Sequence, residues 1–268
     1  MTEKGKDKYK SQMQSANKQK PLISVIIPVF NGEKFISEAI DSILQQHYHP
    51  LEIIVVNDGS TDETKQILTP YLHTIRYIEK ENAGVATARN VGVKAASGLF
   101  MAFLDADDIW HPEKLNHHLG EFDRYNDLDI SLGLTISGED NLEESFNWEF
   151  GEQQAGFQLL LGSSLIRKSA FEKVGLFDEE LELGEDTDWF FRAREQSLKI
   201  AICEKVLLFQ RKHAGNITNN KLKFNFYVFK VLKKAKDRKQ ADPSLMQNDS
   251  SIVSDMDSLM RKWQTVNR

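Results

Sequence analysis

The sequence predicts an α/β fold with a mostly parallel central sheet, a smaller mixed half and a C-terminal helical extension. Residues 22–29 form a nearly continuous apolar, β-branched run, the pattern of a strand covered on both faces. Strand and helix patterns then alternate at short intervals, which implies parallel strands wound by right-handed crossovers. Residues 221–239 change character and mix aromatic and aliphatic residues with many lysines.

The elements follow in order. After the strand 22–29 come Asn31-Gly32 and then Phe35, Ile36, Ala39, Ile40, Ile43 and Leu44 at helical spacing, a helix with one buried stripe ending near 47–50. A second strand, 52–56, leads into Asn57-Asp58-Gly59-Ser60-Thr61-Asp62, a turn and helix cap, and Ile67, Leu68, Tyr71 and Leu72 mark the next helix. Residues 75–79 read as a third strand, 83–96 as a helix rich in small residues, and 100–104 as a fourth strand after the break at Gly98. Pro112 stands where a further helix starts, and Leu115, Leu119 and Phe122 form its buried face. From residue 127 the alternation loosens: 130–136 and 156–167 read as strands around a polar loop, and 187–196 as a helix. This divides the chain into a Lys-rich tail (1–20), an α/β domain (21–216) and a basic extension (217–268), with a short helical pattern near 252–263.

Composition excludes several classes. With 268 residues, 40% of them hydrophobic, the chain can bury a large core, so overall disorder is excluded. Lys plus Arg number 34 against 40 Asp plus Glu, a net charge of −6 that argues against a nucleic-acid partner. Cys203 is the one cysteine, so neither an internal disulfide nor a Cys-rich zinc site can form, which fits a reducing, cytoplasmic setting. No stretch approaches the roughly 18 to 20 apolar residues of a membrane-spanning helix, and residues 1–20 lack the apolar core of a secretory signal.

In an open parallel sheet, ligands bind at the carboxyl ends of the strands. The first strand ends in Pro28-Val29-Phe30-Asn31-Gly32-Glu33, the second in the Asn57–Asp62 turn, the fourth in Asp105-Ala106-Asp107-Asp108, so polar clusters converge on one edge. Adjacent carboxylates repel unless water or a cation screens them, and hard divalent ions take oxygen ligands. A solvated acidic loop is the plain alternative; the position directly after a buried strand favours metal.

On these motifs the chain resembles the family 2 glycosyltransferases of GT-A fold, whose Rossmann-like sheet carries a smaller acceptor-side half. The matching segments, in family order, are Pro28 to Asn31, Asn57 to Asp62, Gly84 to Asn90, Leu104 to Asp108 and Gly184-Glu185-Asp186. The resemblance implies a nucleotide diphosphate sugar as donor, UDP-linked by preference. It places Pro28, Phe30, Asn31, Glu33, Asp58, Arg89 and Asp105 at the nucleotide sugar, with Asp58 on a uracil-type base, Phe30 against it and Arg89 on the nucleotide. It makes Asp107 the direct ligand of Mn²⁺ or Mg²⁺, with His213 approaching the same ion, although a lone His also serves structure. Asp186 matches the base of an inverting displacement, with Glu185 and Trp189 beside the acceptor; acids at a helix N-terminus also favour its dipole, and both readings hold together.

Asn57 stands where the family often carries an acid, and the Gln-x-x-Arg-Trp segment of processive synthases is absent, so a single transfer in glycan or glycolipid synthesis is expected. A catalytically inactive domain of the same fold, acting as a binding module, is the alternative, weighed down by the intact Asp58, Asp107 and Asp186. The acceptor class is a saccharide or a lipid-linked saccharide. In the second case residues 221–239, with Phe224, Val228, Val231 and Leu232 on one face, would hold the protein peripherally at the inner face of a membrane; otherwise that face packs on the domain.

Overall fold

The first strand explains the layering. In β1 (Ile23–Val29), Ile23, Val25, Ile27 and Val29 enter one apolar cluster while Ile26 enters another on the opposite face. A strand buried on both sides loses polar alternation, hence the unbroken apolar run in the sequence. The computed structural model describes residues 20–139, 148, 155–216 and 219–246. The expected tail before Lys20, most of the loop 137–154 and the helical pattern at 252–263 lie outside the described residues.

Within this span the chain forms β1, α1 (Ile36–Leu44), β2 (Leu51–Asn57), α2 (Thr64–Leu68), β3 (Ile75–Glu79), α3 (Val85–Ala95), β4 (Phe100–Phe103), β5 (Ile109–Trp110), α4 (Lys114–Arg124) and β6 (Ile130–Glu139). β7 (Ser164–Arg167), α5 (Lys168–Val174), α6 (Glu185–Glu195), β8 (Ile200–Lys212) and α7 (Lys221–Ala241) follow. The eight-stranded sheet runs β3-β2-β1-β4-β7-β6-β8-β5. β1 pairs in parallel with β2 and β4, and β2 with β3, giving the wound half. β7 then runs antiparallel between β4 and β6, and β5 antiparallel to β8. Among the described residues no helix is long and apolar enough to cross a membrane.

The wound half matches the elements expected from the sequence to within a few residues. The second half differs more: the helix α5 (Lys168–Val174) was not expected, and two strands depart from the reading. Residues 156–167 are not one strand: Gly156 makes a single bridge to Thr135, Leu161–Ser163 is a 3₁₀ turn, and only Ser164–Arg167 joins the sheet. The turn lets the Gly162 carbonyl accept the Trp110 indole N–H at 3.0 Å, which ties it to β5. The long strand β8 was not expected, because Glu204 and Lys205 interrupt its apolar run. They are exposed where the pairing with β6 shifts register, Leu132 facing Ile202 and Leu134 facing Val206, so the polar pair bulges out while the flanking apolar residues stay inside.

α4 is anchored by a buried lysine. Lys114 Nζ donates to the Ser164 carbonyl at 2.9 Å and lies 2.9 Å from His118 Nε2, over the Trp110 ring. Burial pushes its ammonium pKa well down, and its hydrogen bonds link α4 to β7.

Candidate active site

The loops after β1 and β2 are knitted to each other. Asn31 N–H donates to Ser60 Oγ at 2.9 Å while Asn31 Oδ1 accepts from Thr61 N–H at 2.8 Å. Glu33 N–H donates to Asp62 and the Glu33 carboxylate accepts from Glu63 N–H. Asn31 and Glu33 therefore shape the rim. Phe30 is 51% exposed at its edge, which leaves its ring free for a planar ligand. Pro28 is buried within β1, paired in register with Val56.

Asp58 is also turned inward. Its carboxylate accepts from Ala83 N–H at 3.0 Å, Gly84 N–H at 2.8 Å and Lys80 Nζ, so it fixes the segment leading into α3 and makes no open contact toward a base. Gly59 has φ +74°, and a Cβ there would meet Asn82 N at 2.8 Å, so only glycine lets the β2 turn approach that segment.

α3 delivers Arg89 into a knot of carboxylates. Its guanidinium donates to Glu185 and, at 2.5 Å, to Asp105. Burial opposes its charge, but Asp105 and Glu185 outweigh that and hold it protonated. Arg89 is thus a clamp between the loop after β4 and the start of α6, in place of the nucleotide contact expected of it. Burial raises the Glu185 carboxyl to about 7 despite Arg89, and neighbouring Asp186 adds to the rise. Glu185 is buried on the guanidinium and does not line an acceptor side.

Gly184, φ +78°, opens α6, and Asp186 follows in its first turn. Asp186 Oδ1 accepts from Thr187 N–H at 2.6 Å, whereas Oδ2 has no protein donor among the described residues. Burial raises its carboxyl above the ordinary range, against the pull of Arg89. Trp189, one turn on, corrects the expectation most plainly. It is fully buried, its indole N–H donates to the Gly175 carbonyl at 2.9 Å and its ring lies 4.6 Å from that of Phe171. Trp189→Ala is therefore expected to cost about 3–5 kcal/mol of stability, as large aromatic deletions in cores do, with donor KM unchanged in the folded fraction. Chemical denaturation beside donor titration checks this, and a KM effect without lost stability contradicts it.

A second cluster gathers around Asp107. His213 Nε2 lies 3.0 Å from Asp107 Oδ2, and Asn216 Nδ2 donates to the same oxygen at 3.3 Å. Burial and the charge of Asp105 raise the Asp107 carboxyl, and burial with the charges of Asp107 and Asp105 raises Asp108 further. Arg211 secures the loop: its backbone N–H donates to Asp108, its Nε to the Asp107 carbonyl at 3.0 Å, and its Nη2 to Glu38 at 2.6 Å. Its guanidinium lies over Phe35, whose ring packs against His213. Among the described residues no group of three His, Cys, Asp or Glu side chains could hold a metal ion by itself. One carboxylate oxygen converging with one imidazole nitrogen nevertheless fits Mn²⁺ or Mg²⁺, which are held by few protein ligands and completed by phosphate oxygens and water. Sequence reasoning missed Phe35, Glu38, Arg211 and Asn216. Arg211 and Asn216 flank His213 in the chain, but nothing local shows that they reach back across the sheet.

A parallel wound half, a smaller half in which β6 and β8 pair in parallel while β7 and β5 run antiparallel, and acids gathered at the carboxyl ends of the strands define a GT-A glycosyltransferase. The chain belongs to glycosyl transferase family 2, whose model matches residues 24–177, more than half of its length. An uncharacterized glycosyltransferase of Rickettsia prowazekii is 36% identical over 215 residues, covering 75% of this chain and 67% of that protein. The S. aureus TarS 1–349 structure in complex with UDP-GlcNAc superposes with a TM-score of 0.61 at 26% identity, over 74% of this chain and 60% of that one. A Pyrobaculum calidifontis mannosyltransferase, in complex with GDP-Man and Mn²⁺, shares the fold with a TM-score of 0.66 at 18% identity, over 82% of this chain and 65% of that one.

Proposed function

We propose that this glycosyltransferase carries out a single, inverting, metal-dependent transfer of a sugar from a nucleotide diphosphate sugar, UDP-linked by preference, to an acceptor hydroxyl. The observation that carries this reading is Arg89, one guanidinium bound at once to Asp105 of the donor-side loop and to Glu185 immediately before Asp186. It sets the distance between the donor's diphosphate and the base. The 26% identical TarS, whose structure holds UDP-GlcNAc, supports the donor class.

In this reading Phe30 stacks on the base of the nucleotide, and Asp107 and His213 would hold the divalent ion. When bound, that ion neutralises charge on the departing nucleoside diphosphate. Asp186 takes the acceptor's hydroxyl proton on Oδ2 as the hydroxyl oxygen bonds to the anomeric carbon from the face opposite the leaving group and the bond from that carbon to the nucleoside diphosphate breaks. Thr187 holds Oδ1 and so orients Oδ2. Incubation with UDP- and GDP-sugars, with and without Mn²⁺, is expected to release nucleoside diphosphate only with the metal, and most with UDP-sugars. Release at an equal rate in EDTA contradicts the metal, and equal use of GDP-sugars contradicts the donor.

A further inference from the structure

α7 has two faces that differ in both apolar residues and charge. Its inner face carries Tyr227 and Val231, which pack with Leu181, Leu183 and Phe191. The cations on that side all have partners: Lys223 meets Glu182, Lys230 the Glu180 carbonyl, Lys234 Asp178 and Glu180, and Arg238 Asp188 and Glu195. The opposite side presents Leu222, Phe226, Phe229 and Leu232, which are 85%, 63%, 72% and 50% exposed. Their spacing of four, three and three residues aligns them in one stripe along the helix. Lys221, Lys233, Lys236 and Lys239 are on this outer side and have no ion pair among the described residues. The face differs from the one the sequence suggested, since Val231 points inward.

We propose that this outer face of α7 docks on an anionic lipid surface, with Phe226 and Phe229 entering the interface and the four lysines meeting lipid phosphates. Charge complementarity selects this occupant. A linear stripe of aromatic and aliphatic residues bordered by cations suits a flat, negatively charged surface. A second copy paired through the same stripe would bring these lysines against one another. The placement has a consequence for the reaction, which rests on the transferase reading. Val231 on the inner face would lie 3.2 Å from a Cβ at Gly184, the residue that opens α6. Gly184, two residues before Asp186, therefore lies against the inner face of α7, about one helix diameter, ~10 Å, from the outer stripe, so docking of that stripe would bring the start of α6 near the lipid surface.

Co-sedimentation of the full-length chain with vesicles, read without donor or acceptor, tests the docking apart from the transfer chemistry. Binding to vesicles of phosphatidylcholine with phosphatidylglycerol is expected, falling at high salt and falling at least ~10-fold for vesicles of phosphatidylcholine alone. The Phe226→Ser/Phe229→Ser double variant, altered only at exposed positions, is expected to lose at least ~10-fold in binding, with its unfolding transition unchanged. Absence of binding by the wild type at low salt overturns the proposal. So does binding that appears only after residues 247–268 are removed, which would make that segment the occupant. A dimer in sedimentation velocity that the double variant dissociates overturns it as well.

Discussion

Asp186→Asn is expected to lower turnover at least ~100-fold, the lower range of what a positioned general base contributes, while donor affinity stays within a few-fold of wild type. The amide keeps the shape of the carboxylate and the Thr187 hydrogen bond to Oδ1, but it cannot accept a proton. Because burial raises the Asp186 carboxyl, the acid limb of the wild-type rate profile is expected above the ordinary aspartate range, with activity rising as pH increases and the base deprotonates. That limb is expected to vanish in the variant's residual rate. Initial rates across pH, alongside donor titration by calorimetry, check both parts. A variant that keeps most of its rate places the base elsewhere.

Asp107→Ala is expected to abolish metal-stimulated turnover, because His213 would then be the lone protein ligand on that side. Folding is expected to survive, since Arg211 holds the loop through the Asp107 carbonyl and through Asp108, neither of which depends on the Asp107 side chain. Removing one of three closely spaced carboxylates also relieves repulsion on Asp108, whose carboxyl is raised by burial and then by Asp107. Mn²⁺ titration of activity in both proteins, with circular dichroism melting, checks this. Equal Mn²⁺ response would move the metal away from Asp107.

The wound half was legible in the sequence because its signals are local. Strands covered on both faces read as apolar runs, helices between them as single stripes, and the turns as Asn, Asp, Gly and Ser clusters. The strand-end motifs came with that frame, since a residue directly after a buried parallel strand must emerge at the ligand-binding edge. In the second half the pairing partners are distant in sequence. β7 is short because β4 and β6 flank it and the preceding turn is tied to Trp110, and β8 carries polar Glu204 and Lys205 within its run because a bulge expels them.

Local sequence patterns were enough to establish the wound half of the sheet, the order of the motifs and the residue types available for phosphate, metal and proton chemistry. Tertiary structure alone decided which way those side chains turn. Asp186 and Trp189 lie three residues apart on α6, yet one keeps an open oxygen and the other fills the core against Phe171. The family resemblance implies a nucleotide contact for Arg89; buried beside two carboxylates from separate loops, it is their common counter-ion. On α7, apolar residues occur around much of the helix, and periodicity cannot choose between faces. The choice falls to the receiving surface, where Leu181, Leu183 and Phe191 take Tyr227 and Val231, and acids from 178 to 195 take the cations on that side. Burial and charge pairing depend on contacts between segments far apart in the chain, so they exist only once the chain has folded.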